Sequence, residues 1–287
     1  MSVDLPGGVL NAPCLTCSSK LLEATLPRLI PSCLVALLFA VWASTAAAQN
    51  AAIPVNRAEM IRILGDLPGA MPIRQDLQRL GFEGENLELG VAQAGSFYKD
   101  PVIAGYIADR VIAAYTNPDA VVEAQGLIWP MIARGMGHLS LGELRYYYSV
   151  EQAMINALPV RDCGLAMRGR FTDAQFSDAI SRMAARLDTT ALKEFYRIEF
   201  KAAQLGAKRG AVELSETQKR KVGAAIDVRL EALLAGEPDE TRLRGVMLNL
   251  DRARNKDACR IGRLFYQAVM TLPPGEQRNG LLLIGQP

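Results

Sequence analysis

Helix-start signals recur along this chain at a spacing that leaves little room for any other secondary structure. Asn56-Arg-Ala-Glu59, Ser140-Leu-Gly-Glu143, Thr172-Asp-Ala-Gln175 and Ser215-Glu-Thr-Gln218 each set a polar residue three positions before Glu or Gln. In this capping-box pattern the first side chain accepts from the backbone of the fourth residue, whose own side chain reaches back. Asp100-Pro101, Asn117-Pro118 and Glu237-Pro238 put proline at a first helical position, where its missing N–H costs nothing.

The segments behind these starts carry helical periodicity. After Pro101 come Val102, Ile103, Tyr106, Ile107, Val111, Ile112 and Tyr115. After Ser140 come Leu141, Leu144, Tyr147, Tyr148, Met154, Ile155 and Leu158. Phe176, Ile180, Met183 and Leu187 follow Thr172, and Val222, Ile226, Leu230, Leu233 and Leu234 follow Ser215. These are the intervals of one buried helix face. Alternating β-branched runs are missing, and Leu281-Leu-Leu-Ile284 is the one short apolar run of strand type. We therefore expect an all-α fold, a compact domain of about eight to ten helices spanning residues 49–287. Gly206-Ala-Lys-Arg-Gly210 and Gly236-Glu-Pro238 read as turns between helices. Gln152–Pro159 faintly echoes Gln267–Pro273, which two similar helix ends explain without a duplication.

Residues 1–48 read as an address. No charge occurs between Arg28 and Arg57, and Cys33–Ala43 is a continuous apolar run that ends in Ser44-Thr-Ala-Ala-Ala48. A basic residue, a short apolar stretch and a small-residue exit make a secretory signal peptide, with cleavage after Ala48. The alternative is an uncleaved inner-membrane anchor through residues 29–48, which approaches the roughly 20 apolar residues that a span needs. The leader is longer than usual, and residues 1–20 suggest a mis-assigned start. Cys14-x-x-Cys17 within them has no histidine or second pair nearby to make a redox or metal motif.

After that cut only Cys163 and Cys259 remain. An even count in an oxidising compartment points to a disulfide. Two buried thiols, or one thiol activated by neighbouring arginines, are the alternatives.

Candidate catalytic groups are few. His138 lies in the glycine-rich Gly135–Ser140 connection and could serve Ser140 as a base, or simply contact a helix end. Glu194 and Glu199 stand beside Phe195, Tyr196 and Phe200, where a carboxyl with a raised pKa could protonate a sugar leaving group. Lys193, Arg197 and Lys201 are interleaved with them, however, and a charged helix face accounts for both glutamates. Tyr146-Tyr-Tyr148 reads as packing rather than ligand stacking.

The chain carries 32 basic and 30 acidic side chains, so it has no sustained attraction for nucleic acid. With one histidine a multi-histidine metal centre is excluded, and no phosphate loop, dinucleotide fingerprint or haem-attachment motif occurs. We expect no cofactor and no metal. The expected role is that of a periplasmic or secreted protein that binds another envelope protein without catalysis. It would touch membrane only if the leader is retained. A wall-glycan-cleaving enzyme with a glutamate acid, and a membrane-anchored assembly subunit, are the alternatives.

Overall fold

A computed structural model describes residues 56–70, 72–116, 128–170 and 173–284. The leader, Asn117-Pro118 and Thr172 lie outside the described residues. Among those described there are helices and turns and no strand.

In chain order the helices are α1 (Arg57–Ala70), α2 (Ile73–Arg79), α3 (Gly84–Lys99), α4 (Pro101–Thr116) and α5 (Ile128–Met136). Then come α6 (Leu141–Ala157), α7 (Val160–Met167), α8 (Asp173–Ala184) and α9 (Thr189–Lys208). The last are α10 (Glu216–Leu234), α11 (Glu240–Met247), α12 (Asn255–Met270) and α13 (Pro274–Ile284), with a 3₁₀ turn at Leu250–Arg252 between α11 and α12. The number exceeds the expected eight to ten because α2, α7 and α11 are only seven or eight residues long. Two turns of helix carry too few apolar positions to display a period.

The caps explain where the longer helices begin. Ser140 and Ser215 form complete capping boxes with Glu143 and Gln218. Asn56 Oδ1 accepts from the Ala58 N–H, and Asp100 Oδ1 accepts from Val102 and Ile103 just ahead of Pro101. Asp188, which the capping-box pattern does not flag, caps α9 through the Ala191 N–H. The Glu237-Pro238 expectation is corrected: α11 opens at Glu240, and Pro238 lies in the preceding turn. Gly169, at φ 64°, closes α7. The Arg170 N–H there reaches back to Leu165 O and the Gly169 N–H to Ala166 O, a left-handed stop that only glycine adopts without strain.

Helices α9 and α12 are central, and α6 packs against both. On α9 lie α5, α3 and α4, while α7, α10, α11 and α13 lie on α12. The α5–α9 contact is backbone on backbone. A β-carbon at Gly135 would land on the carbonyl of Ala202, and one at Gly206 on that of Met131. Gly206 is thus a packing residue inside α9 rather than part of a turn, and only Gly210 of that glycine pair lies beyond the helix. The α7–α12 contact is built the same way, with Gly164 against the Asn255 backbone and Gly262 against the Met167 side chain. Cys163 and Cys259 join these two helices as a disulfide, with Cα atoms 5.1 Å apart. Buried apolar side chains from Met60 to Ile284 form one continuous core. No helix of the described residues is long and apolar enough to cross a membrane.

Candidate functional site

The three candidate catalytic residues occupy unlike environments. Helical spacing on α9 carries Glu194 to the outer face. There Arg197 Nε and Nη2 donate to its two oxygens, each at 2.7 Å. That bidentate pair holds the Glu194 carboxyl below its usual range, despite the opposing effect of partial burial. A stably ionised carboxylate of this kind cannot donate a proton near neutrality.

His138 lies in the turn between α5 and α6, where Nε2 meets the carbonyl oxygen of Gly210 at 2.9 Å. Ser140 Oγ is committed to the capping box: it accepts from the Glu143 N–H and donates to the Glu143 carboxylate at 2.9 Å. The histidine fastens the α5–α6 turn to the segment after α9, and the serine opens α6.

Glu199 corrects the expectation of a charged face. It is buried, with only 6% of its surface exposed. It follows Phe195 by four residues and precedes Ala202 by three, so it stands inside the apolar stripe of α9. Burial pushes its carboxyl up to about 8, with a further upward contribution from Glu151 and a small downward one from the Gln93 amide. Gln93, on α3, also donates through Nε2 to the carbonyl of Tyr196 at 3.1 Å.

The partner of Glu199 is Glu151, which is not among the acids that the sequence marks as catalytic candidates. It comes from α6 and is equally buried. Burial lifts its carboxyl to about 8, and Tyr147 draws it slightly back down. The contact with Tyr147 is looser than a formed hydrogen bond, because the enclosed Tyr147 hydroxyl has no partner at bonding distance. Two signals were available in the sequence. Glu151 lies four residues after Tyr147 and three before Met154, squarely on the α6 stripe, and nothing basic stands at the neighbouring stripe positions.

Aromatic side chains surround the pair. Tyr147 stacks on Phe195 with centroids 4.8 Å apart and meets Tyr148 edge-on at 5.4 Å. The Tyr148 and Tyr266 hydroxyls are fully desolvated and are held protonated further by Glu151, and Tyr196 likewise by Glu199. Tyr146, the outermost of the three consecutive tyrosines, is half-buried and donates to Ala191 O at 3.2 Å, in keeping with packing. The junction of α3, α6, α9 and α12 therefore holds two carboxyls that burial raises toward the neutral form and that have no basic partner among the described residues. Among the described residues no group of three or more His, Cys, Asp or Glu could hold a metal ion.

A different acid ties α6 to α9 at the surface. Glu143 Oε1 accepts from Lys201 Nζ at 2.7 Å and lies 3.5 Å from Arg197 Nη2. Partial burial alone would raise its carboxyl, but Lys201 and the Ser140 N–H and hydroxyl outweigh that and bring it down to about 2.

Comparison with protein-family models, with curated proteins and with solved structures found no match for this chain.

Proposed function

We propose that this is an exported helical protein of the cell envelope that acts by binding another envelope protein through its helical exterior, without catalysis. The observation that carries the reading is the fully buried Cys163–Cys259 bridge, which belongs with a chain that folds outside the reducing cytosol. The way the candidate catalytic groups are engaged supports this role. Glu194 is neutralised by Arg197, His138 holds a backbone carbonyl, and Glu199 is enclosed. Exposed apolar side chains mark where a partner would sit: Val228 and Leu248 lie about one turn from Glu231 and Arg244, which pair across α10 and α11.

Photo-crosslinking residues placed at 228 and 248 in the exported protein test this. One dominant envelope protein captured at both positions, and released by a charged substitution at either, is the expected result. Absence of any adduct from exported, oxidised protein overturns it. Amino-terminal sequencing addresses the leader, because a chain that starts at Gln49 has lost residues 29–48 as an anchor.

A second reading rests on the raised carboxyl of Glu199, the property a glycan-cleaving acid needs. It requires that substrate reach an enclosed side chain. Release of soluble fragments from purified cell wall, lost in Glu199→Gln, would establish it in place of the binding reading.

A further inference from the structure

We propose that the Glu151–Glu199 pair is a latch sensitive to alkali: neutral, it lets α3, α6, α9 and α12 close on one another, and ionised, it forces their junction open. The inference goes beyond the binding role and stands or falls separately from it.

The geometry sets the terms. The two carboxyls come from different helices, each is 94% enclosed, and aromatic side chains rather than bases surround them. The ionisable groups that bear on the pair are Tyr147 and Tyr148 from α6, Tyr196 from α9 and Tyr266 from α12, and α3 supplies only the neutral Gln93. Charged groups on the neighbouring elements are engaged elsewhere. Arg263 of α12 donates to the carbonyls of Ile155, Asn156 and Leu158, and Arg278 of α13 to those of Gly137 and Leu139. Asp100, ahead of α4, accepts from Gln204 of α9. Arg134 of α5 lies over the Tyr106 ring of α4, with its buried Nε and Nη2 making no hydrogen bond among the described residues, and Arg182 of α8 faces Asp178. On the outer face of α9, Arg197 and Lys201 belong to Glu194 and Glu143.

Two like charges released in such a shell have no counter-ion in contact among the described residues. An ion buried without a partner carries a desolvation penalty comparable to the free energy of local opening in most proteins. Opening to water is then the route by which both carboxyls ionise. The unpartnered Tyr147 hydroxyl makes the same junction a weak point, since water admitted there gains a hydrogen bond. The Glu143–Lys201 tie at the edge of α6 and α9 lies outside the junction, so it keeps the helices tethered and lets them close again.

The test uses the full exported protein. Near-ultraviolet circular dichroism of the tyrosines and binding of a hydrophobic dye are followed from pH 6 to 9, where an ordinary tyrosine stays about nine-tenths protonated. We expect a reversible loss of the tyrosine signal and a severalfold rise in dye fluorescence, with a midpoint near pH 8. The Glu151→Gln/Glu199→Gln double variant should stay flat across that window. Should the double variant fail to fold, Glu199→Gln alone should make the transition shallower, since opening is then linked to the release of one proton rather than two. A flat profile for the unaltered protein, or a transition that survives the substitutions, overturns the latch.

Discussion

At the scale of single residues, the acids with lowered and with raised carboxyls pull the stability of this protein in opposite directions along the pH axis. Glu143 has a lowered carboxyl in the folded state, so its contribution is present above the unfolded carboxylate range and is lost as pH falls toward about 2. Glu151 and Glu199 are raised, so their neutral forms favour the folded state fully below the unfolded range, and that contribution is lost as pH climbs to about 8. The urea midpoint should therefore peak near pH 4 to 5, on the acid side of the range common to globular proteins. Lys201→Ala should flatten the fall below that peak, because Glu143 loses a partner that lowers it, and Glu199→Gln should flatten the decline above it. A midpoint that rises steadily from pH 5 to 8 contradicts this assignment. Tyr147→Phe makes a narrower claim. It deletes a buried hydroxyl that bonds to nothing at full strength, so it should leave stability unchanged or raise it by up to about 1 kcal/mol, against the usual loss for a buried tyrosine hydroxyl.

At the scale of elements, what the sequence made legible followed how much local repetition it held. The α6 and α10 starts are readable because a capping box is a local motif, and both boxes form as spaced. Glu199 was misplaced for a physical reason. Lys193, Glu194, Arg197 and Lys201 do make a charged face, yet residue 199 lies only about 40° from Phe195 around the helix, on the opposite side from that face. Charge type suggested exposure, whereas angular position gave burial. The glycines mislead similarly, because Gly206 resembles a turn residue until its helix is seen pressed against α5. That contact makes a sharp comparison possible. Gly135→Ala and Gly206→Ala each put a methyl onto a backbone carbonyl and should cost about 3 kcal/mol or more, or abolish folding. Gly223→Ala in α10 meets open space and should stabilise by about 0.5–1 kcal/mol through helix propensity alone. Equal effects at the three positions would mean that α5 and α9 do not touch through their backbones.

At the scale of the whole molecule, the 96-residue separation of the bridged cysteines decides how the chain is held together. The bridge spans α8, α9, α10 and α11, and so encloses the central α9 while anchoring α7 to the equally central α12. A loop of that length restricts the unfolded chain by about 4–5 kcal/mol in the chain-entropy model, a large share of the stability of an ordinary domain. The α7–α12 contact already brings Gly164 against the Asn255 backbone and Gly262 against the Met167 side chain, on either side of the sulfurs, so the folded geometry needs no rearrangement to accept the bond. Cys163→Ala/Cys259→Ala should then fold to the same helical content with a urea midpoint lowered in proportion to a loss of about 2–5 kcal/mol. Reductant without denaturant should act slowly on the native protein, because the two cysteines are 0% and 2% exposed and attack on the bond must await local opening. Reduction is the place where the fold and the proposed compartment meet. If thiol trapping of protein taken directly from cells finds Cys163 and Cys259 oxidised, the chain has matured outside the cytosol. If it finds them free, the same helices assemble with two packed thiols, and the export on which the envelope role depends is lost.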